Sequence, residues 1–141
     1  MVILIDTNII LDCFISRQPL VDNAKNVLRL CFRKECNGYI AAHSVTNIFY
    51  ILRKDFSASK RKKMLIELCE YIEVAGIQKK QIIDALVNED FDDLEDRLQV
   101  ECARVVNADY IVTRDITDFS ASPIPAILPE DFLIKVAKES S

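Results

Sequence analysis

The sequence predicts an α/β domain with a mostly parallel sheet. Three observations lead there. Short apolar runs without alternation, such as Val2–Ile5, suit strands buried on both faces. Segments of helical period separate these runs. The chain has 141 residues, half of them apolar, with only two glycines and four prolines. That is enough for one cored domain spanning 1–141, with little linker or low-complexity material.

In chain order, VILI at residues 2–5 is the first strand, and it runs straight into Asp6, Thr7 and Asn8. Residues 9–14 open a helix. Val21–Phe32 has apolar residues at Val21, Ala24, Val27, Leu28, Leu30 and Cys31, a helical period broken at Asn37 and Gly38. Residues 39–42 form a second strand. Residues 44–52 form a helix with Val45, Ile48, Phe49 and Leu52 on one face. Ser59 is placed as the cap of a helix carrying Met64, Leu65, Leu68 and Cys69. Residues 71–76 are a third strand, with Tyr71 and Ile72 assignable also to the helix before it. Residues 78–88 are again helical (Ile82, Ile83, Leu86, Val87). Asp92 or Asp93 caps the next helix, whose stripe is Leu94, Leu98, Cys102 and Val105. Residues 110–113 form a fourth strand. Residues 126–128 form a short edge strand between Pro125 and Pro129, and a last helix starts at Pro129 or Glu130.

Composition narrows the function. A net charge of −4 argues against a bulk-basic nucleic-acid binder and leaves room for a local basic patch. The five cysteines (13, 31, 36, 69, 102) contain no C-x-x-C pair and read as structural thiols in a reducing cytosol. The first apolar run is too short for a signal peptide or a membrane span, so a cytoplasmic protein is expected. No glycine-rich phosphate loop is present. His43 is the only histidine, which argues against a histidine relay or a His-rich zinc site and reads better as a residue flanking the helix at Ser44.

In parallel sheets the residues just past the strand ends build the site. Here they are acids. Asp6 follows the first strand. Arg114, Asp115 and then Asp118 follow the fourth. Glu89, Asp90, Asp92, Asp93, Glu95 and Asp96 crowd the helix before it. Crowded carboxylates stay ionised together only beside a cation, and hard oxygen ligands favour Mg²⁺ or Mn²⁺. Such a cluster suits metal-assisted phosphodiester hydrolysis. Each acid taken singly has a plainer role. Asp6 can cap the next helix. Asp92 with Glu95 resembles a capping box, and acids in a first turn suit the helix dipole. Asp93 and Asp96 lie opposite the expected apolar stripe, where charges are usually solvated, and Asp115 and Asp118 can be turn acids. The coincidence of all of them at one sheet edge favours the site. Lys60, Arg61, Lys62 and Lys63 read as a solvated helix face or as a guide for a phosphate backbone.

The chain resembles PIN-domain proteins, in particular the VapC-like toxins of type II toxin–antitoxin systems. The likeness covers nearly the whole chain. It rests on IDTNIILD at the start, SVTNIFYILRK in the middle and DLEDRLQVECARVVNADYIVTRDITDF in the last third. It implies an α/β/α sandwich with a central, mostly parallel sheet of about five strands, and Mg²⁺- or Mn²⁺-dependent endoribonuclease activity. It also implies an RNA substrate, a protein antitoxin and, as is common in the family, a homodimer. The family's acids fall on Asp6, Asp96 and Asp115, with Asp118 and Asp93 close by. Thr7, Asn8 and Thr113 match its small polar support positions. One position departs: where the family usually carries a glutamate, this chain has Asn47, which offers a carbonyl oxygen without charge. An alternative reading is therefore a PIN-fold RNA- or partner-binding module with impaired catalysis. A phosphatase with Asp6 as nucleophile fits less well, because such enzymes resemble D-x-D and this chain reads Asp6, Thr7, Asn8. On the nuclease reading, Lys60, Arg61, Lys62, Lys63 and Arg114 are the RNA-contact candidates.

Overall fold

The computed structural model describes residues 1–140. Its elements are β1 (Val2–Ile5), α1 (Thr7–Phe14), α2 (Val21–Phe32), β2 (Asn37–Ala41), α3 (Ala42–Ile51), α4 (Ala58–Leu68), β3 (Glu73–Ala75), α5 (Lys79–Val87), α6 (Leu94–Val105), β4 (Tyr110–Val112), β5 (Ala126–Ile127) and α7 (Pro129–Glu139). Single 3₁₀ turns occupy Leu52–Lys54 and Ile116–Phe119. The strands form one five-stranded sheet in the order β3-β2-β1-β4-β5. Every neighbouring pair is parallel, with Ile3 opposite both Gly38 and Tyr110.

The period-2 alternation of β1 divides the core into two halves. Ile3 and Ile5 point into the larger one, with Ile9 and Ile10 of α1, Val27 of α2, Ile48 of α3, Leu65 and Leu68 of α4 and Phe132 of α7. Leu4 points the other way, into a cluster with Ala41, Ala75, Val100, Cys102, Ala103, Ile111 and Phe119. Helices therefore cover both faces of the sheet, the three-layer arrangement that all-parallel sheets require. No helix among the described residues is long and apolar enough to cross a membrane.

Several local expectations shift. Asn37 and Gly38 open β2 and are not a turn. A Cβ on Gly38 would lie 2.6 Å from Cys31 Sγ and 2.9 Å from Ile72 Cδ1. The glycine is there so that the end of α2 and the residues before β3 can close on the sheet. The N-cap of α4 is Ser57, whose hydroxyl accepts from the Lys60 N–H at 3.2 Å, and Ser59 lies inside the helix. Tyr71 and Ile72 belong to the turn after α4, and Cys69 is exposed. Ile82, Ile83, Leu86 and Val87 of α5 face solvent, and Ala85 is that helix's buried residue. Helix α6 departs most. The expected stripe ends, Leu94 and Val105, are exposed, while Arg97, Gln99, Val100, Glu101, Cys102 and Ala103 are buried. Arg97 and Glu101 pair with each other one turn apart, which is how two charges are tolerated in a buried helix. Of Phe14, Phe32, Phe49 and Phe132, only Phe32 is exposed.

Gly38→Ala is expected to lower stability by about 1–3 kcal/mol through overpacking. The check is a lower urea midpoint at unchanged m-value; an unchanged midpoint would mean that Cys31 and Ile72 have room to move aside.

Candidate active site

The sheet order makes β1 and β4 the switch point. The chain leaves β1 toward β2 on one side and returns to β4 on the other, which opens a crevice at the carboxyl ends of these two strands. Register places Ile5 opposite Val112, so Asp6 and Thr113 are the first residues past the paired strands, and the Asp6 N–H donates to the Val112 carbonyl at 3.0 Å. Alternation then turns both side chains, like Leu4 and Ile111, toward α6. Asp6 occupies the N-cap position of α1, yet its side chain makes no capping hydrogen bond. Its carboxylate is held by two other groups: Gln99 Nε2 donates to Oδ1 at 3.0 Å, and the Thr113 hydroxyl donates to Oδ2 at 2.8 Å.

Thr113 also accepts from the Asp115 N–H at 3.0 Å, so one buried hydroxyl joins the end of β1 to the loop that carries Asp115. Asn8 Nδ2 reaches Asp115 Oδ2 at 3.4 Å. Thr7 Oγ1 shares a buried hydrogen bond of 2.7 Å with Ser44 Oγ, which fastens the start of α3 to the start of α1. Asn47, one turn further along α3, lines the crevice. Asp93 is the N-cap of α6, accepting from the Asp96 N–H at 3.2 Å. The resulting cleft, of about 350 Å³, is lined by Asp6, Asp93, Glu95, Asp96, Asp115 and Asp118 on one side and by Asn47, Tyr50 and Ile51 on the other.

The acids repel. Burial raises the Asp6 pKa above its ordinary value; the Gln99 and Thr113 hydrogen bonds lower it, the charge of Asp115 raises it, and the nearby Asn8 backbone N–H adds a smaller lowering. Asp96 is pushed up to about 7, first by burial and then by the charges of Asp93, Asp6, Asp118 and Glu95. Six carboxylates and the Asn8 and Asn47 amides around one cleft are a hard-oxygen donor set, and its chemistry fits Mg²⁺ or Mn²⁺. They ring the cleft instead of meeting at a point: among the described residues, no three Asp, Glu, His or Cys side chains stand together as a ready-made ligand set.

A family model described as PIN domain matches residues 2–117. The chain belongs to the PIN-domain family. A search of the curated proteins finds no match. Among solved structures, the PIN domain is similar to VapBC2 from Rickettsia felis bound to a promoter DNA fragment (18% identity, 91% of this chain and 98% of that one, TM-score 0.67). It is similar also to VapC20 from Mycobacterium tuberculosis, a sarcin–ricin-loop-cleaving toxin (18% identity, 86% and 95%, TM-score 0.67), and to a toxin–antitoxin complex from Klebsiella pneumoniae (20% identity, 89% and 96%, TM-score 0.65). At these identities the likeness is one of fold.

Asp6, Thr7, Asn8, Asn47, Asp93, Asp96, Asp115 and Asp118 all line this PIN domain's cleft, and Thr113 lies directly behind it. The basic candidates are elsewhere. Lys60, Lys62 and Lys63 are exposed on α4, outside the cleft lining. Arg61 is packed over Phe49, 4.2 Å from the ring centroid, and donates to the Phe49 and Phe56 carbonyls. Arg114 donates to both oxygens of the buried Asp12, at 2.9 and 3.3 Å, and so braces α1 against the loop carrying Asp115. His43 sits in the first turn of α3 with both ring nitrogens buried; burial holds its pKa below the ordinary value, against the opposing charge and backbone carbonyl of Glu95. Three residues escaped the sequence reading: Gln99, Ser44 and Tyr50. Gln99 had one available signal, its spacing of three from Asp96, which puts both on the same side of α6.

Metal-free Asp96 has a raised folded pKa, so its contribution to stability is present below the ordinary value of 3.8 and is lost as pH rises through about 7. In EDTA, the melting temperature of Asp96→Asn minus that of the wild type is therefore expected to grow steadily from about pH 4 to about pH 8. Calorimetry across that range checks it. A difference flat with pH would show that Asp96 is not strained by its neighbours.

Proposed function

We propose that this PIN domain is a Mg²⁺- or Mn²⁺-dependent endoribonuclease and the toxin half of a toxin–antitoxin pair, acting in the cytoplasm. The observation that carries the reading is the convergence of Asp6, Asp96, Asp115 and Asp118 on one cleft at the switch point, with the Asp96 pKa raised by burial and by the neighbouring carboxylates. Asp6, Asp96 and Asp115 would hold the ion, with Asp118 and Asp93 at the rim. Bound there, the ion would supply Lewis-acid activation of water and stabilisation of the leaving oxygen. The chain's own contribution is orientation: Gln99 and Thr113 fix both oxygens of Asp6, Thr113 and Asn8 steady Asp115, and the Arg114–Asp12 pair anchors the loop between them. The similar structures solved as toxin–antitoxin complexes support a protein antitoxin as partner.

A second reading, an RNA- or partner-binding module without catalysis, draws on Asn47. This neutral side chain stands in the cleft wall where the resemblance leads one to expect a carboxylate. The two readings part in one assay, cleavage of mixed cellular RNA by the full chain with Mg²⁺, with Mn²⁺ and with EDTA. Cleavage is expected only with metal, and Asp6→Asn is expected to lower it by roughly a hundredfold or more while leaving the folded circular-dichroism spectrum intact. Full activity in EDTA or in Asp6→Asn would sink the nuclease mechanism. Asn47→Glu is expected to tighten Mg²⁺ binding by roughly tenfold, read by calorimetric titration. An unchanged affinity would mean that this wall does not reach the ion.

A further inference from the structure

The cleft poses an electrostatic difficulty for a polyanion. Among the described residues no basic side chain lines it: besides the acids it is lined by Thr7 and Asn8 of α1 and by Asn47, Tyr50 and Ile51 of α3. The last three are spaced i, i+3 and i+4, so they share one helix face, flanked by Ile48, which enters the core. Tyr50 is 61% exposed although it lines the cleft. The guanidinium of Arg53 lies over its ring, 3.7 Å from the centroid, while Nη1 donates to the Tyr50 carbonyl at 2.9 Å. Arg53 is itself exposed. A flat, half-wet aromatic–guanidinium stack thus stands on the α3 side of the cleft, with one positive charge beside an acidic lining.

We propose that Tyr50, backed by Arg53, is the base-stacking platform of this cleft, seating the base of an RNA nucleotide whose phosphate faces the carboxylates. The inference rests on the nuclease reading and deepens it by orienting the nucleotide. A nucleobase has no charge to be repelled and has a π-face that an aromatic ring accepts whatever the sequence. The base lies on the α3 wall, the adjoining phosphate points to the acidic wall where the cation compensates it, and Arg53 meets a neighbouring phosphate. Stacking of this kind needs a base free of its own helix, which a duplex does not offer.

The test is binding of a short fluorescein-labelled single-stranded RNA, its blunt duplex and an abasic version, followed by anisotropy with Ca²⁺ as the divalent ion, beside steady-state cleavage with Mg²⁺. Tyr50→Ala is expected to weaken single-strand binding roughly tenfold and to raise KM with little change in kcat, whereas Tyr50→Phe stays close to wild type. Arg53→Ala should weaken binding and lower the salt slope by about one. Duplex binding should be indifferent to Tyr50, and wild type should bind the abasic strand about as weakly as Tyr50→Ala binds the intact one. Both side chains are exposed, and melting temperatures confirm that the variants fold. Equal single-strand affinity for Tyr50→Ala and wild type, an equal loss on the duplex, or no RNA binding by wild type would overturn the proposal. So would a Tyr50→Ala that binds RNA normally but loses self-association or a protein partner. Tyr50-dependent binding without cleavage in any metal would leave the platform standing and remove the nuclease. Metal-dependent cleavage without Tyr50 dependence would do the reverse.

Discussion

Asp6 puts a carboxylate, 4% exposed, on the end of a strand whose other inner residues are fully buried. A charge in such a place is tolerated only if each oxygen is met by a donor. The two donors come from elements far away in sequence, Gln99 on α6 and Thr113 after β4. Satisfying them requires β4 beside β1 and α6 packed on the sheet face near the carboxyl end of β1. Thr113 then passes the constraint on to Asp115 through its backbone acceptance. Much of the cleft follows from keeping one buried acid hydrogen-bonded on both sides.

The same arrangement leaves a strain that the metal-free chain cannot relieve by itself. Asp6 and Asp96 both have raised pKa values, with burial as the largest cause and acid neighbours adding to it. A fold selected for stability alone would replace at least one of these acids with a neutral side chain. Sites that stabilise charge during a reaction are commonly unfavourable in its absence. The opposite wall behaves differently. Asn47, Tyr50 and Ile51 add no charge, and the Thr7–Ser44 hydrogen bond holds that wall at a set distance from the end of β1. The cleft therefore pairs a charged face with a neutral, partly aromatic one.

The parallel sheet was legible from VILI at residues 2–5, YIVT at 110–113 and the helical runs between them, and the PIN-domain likeness from IDTNIILD, SVTNIFYILRK and DLEDRLQVECARVVNADYIVTRDITDF. Buried parallel strands write themselves as unbroken apolar runs, and helices as a 3.6-residue period. The acids were legible because strand ends in such sheets are where polar groups collect. Helix α6 was misread for a physical reason. Packing against the sheet and α5 buries positions that the period treats as polar, and the Arg97–Glu101 pair and the Gln99–Asp6 bond make that burial tolerable. Asp96, opposite the expected apolar stripe, is accordingly half-buried in the cleft wall. Asp93 illustrates the converse, since the capping role and the cleft position are both realised in one side chain.

By itself the sequence determined the order and type of the elements, and the acids that would stand at the strand ends, because local periodicity and strand termination are encoded within a few residues. Tertiary structure decided what each acid touches. Asp6 gives up its helix cap for Gln99 and Thr113, Arg114 turns from solvent to the buried Asp12, and Tyr50 comes to face the carboxylates. Those outcomes depend on contacts between residues tens of positions apart. They are settled only when the sheet order β3-β2-β1-β4-β5 brings the ends of β1 and β4 side by side.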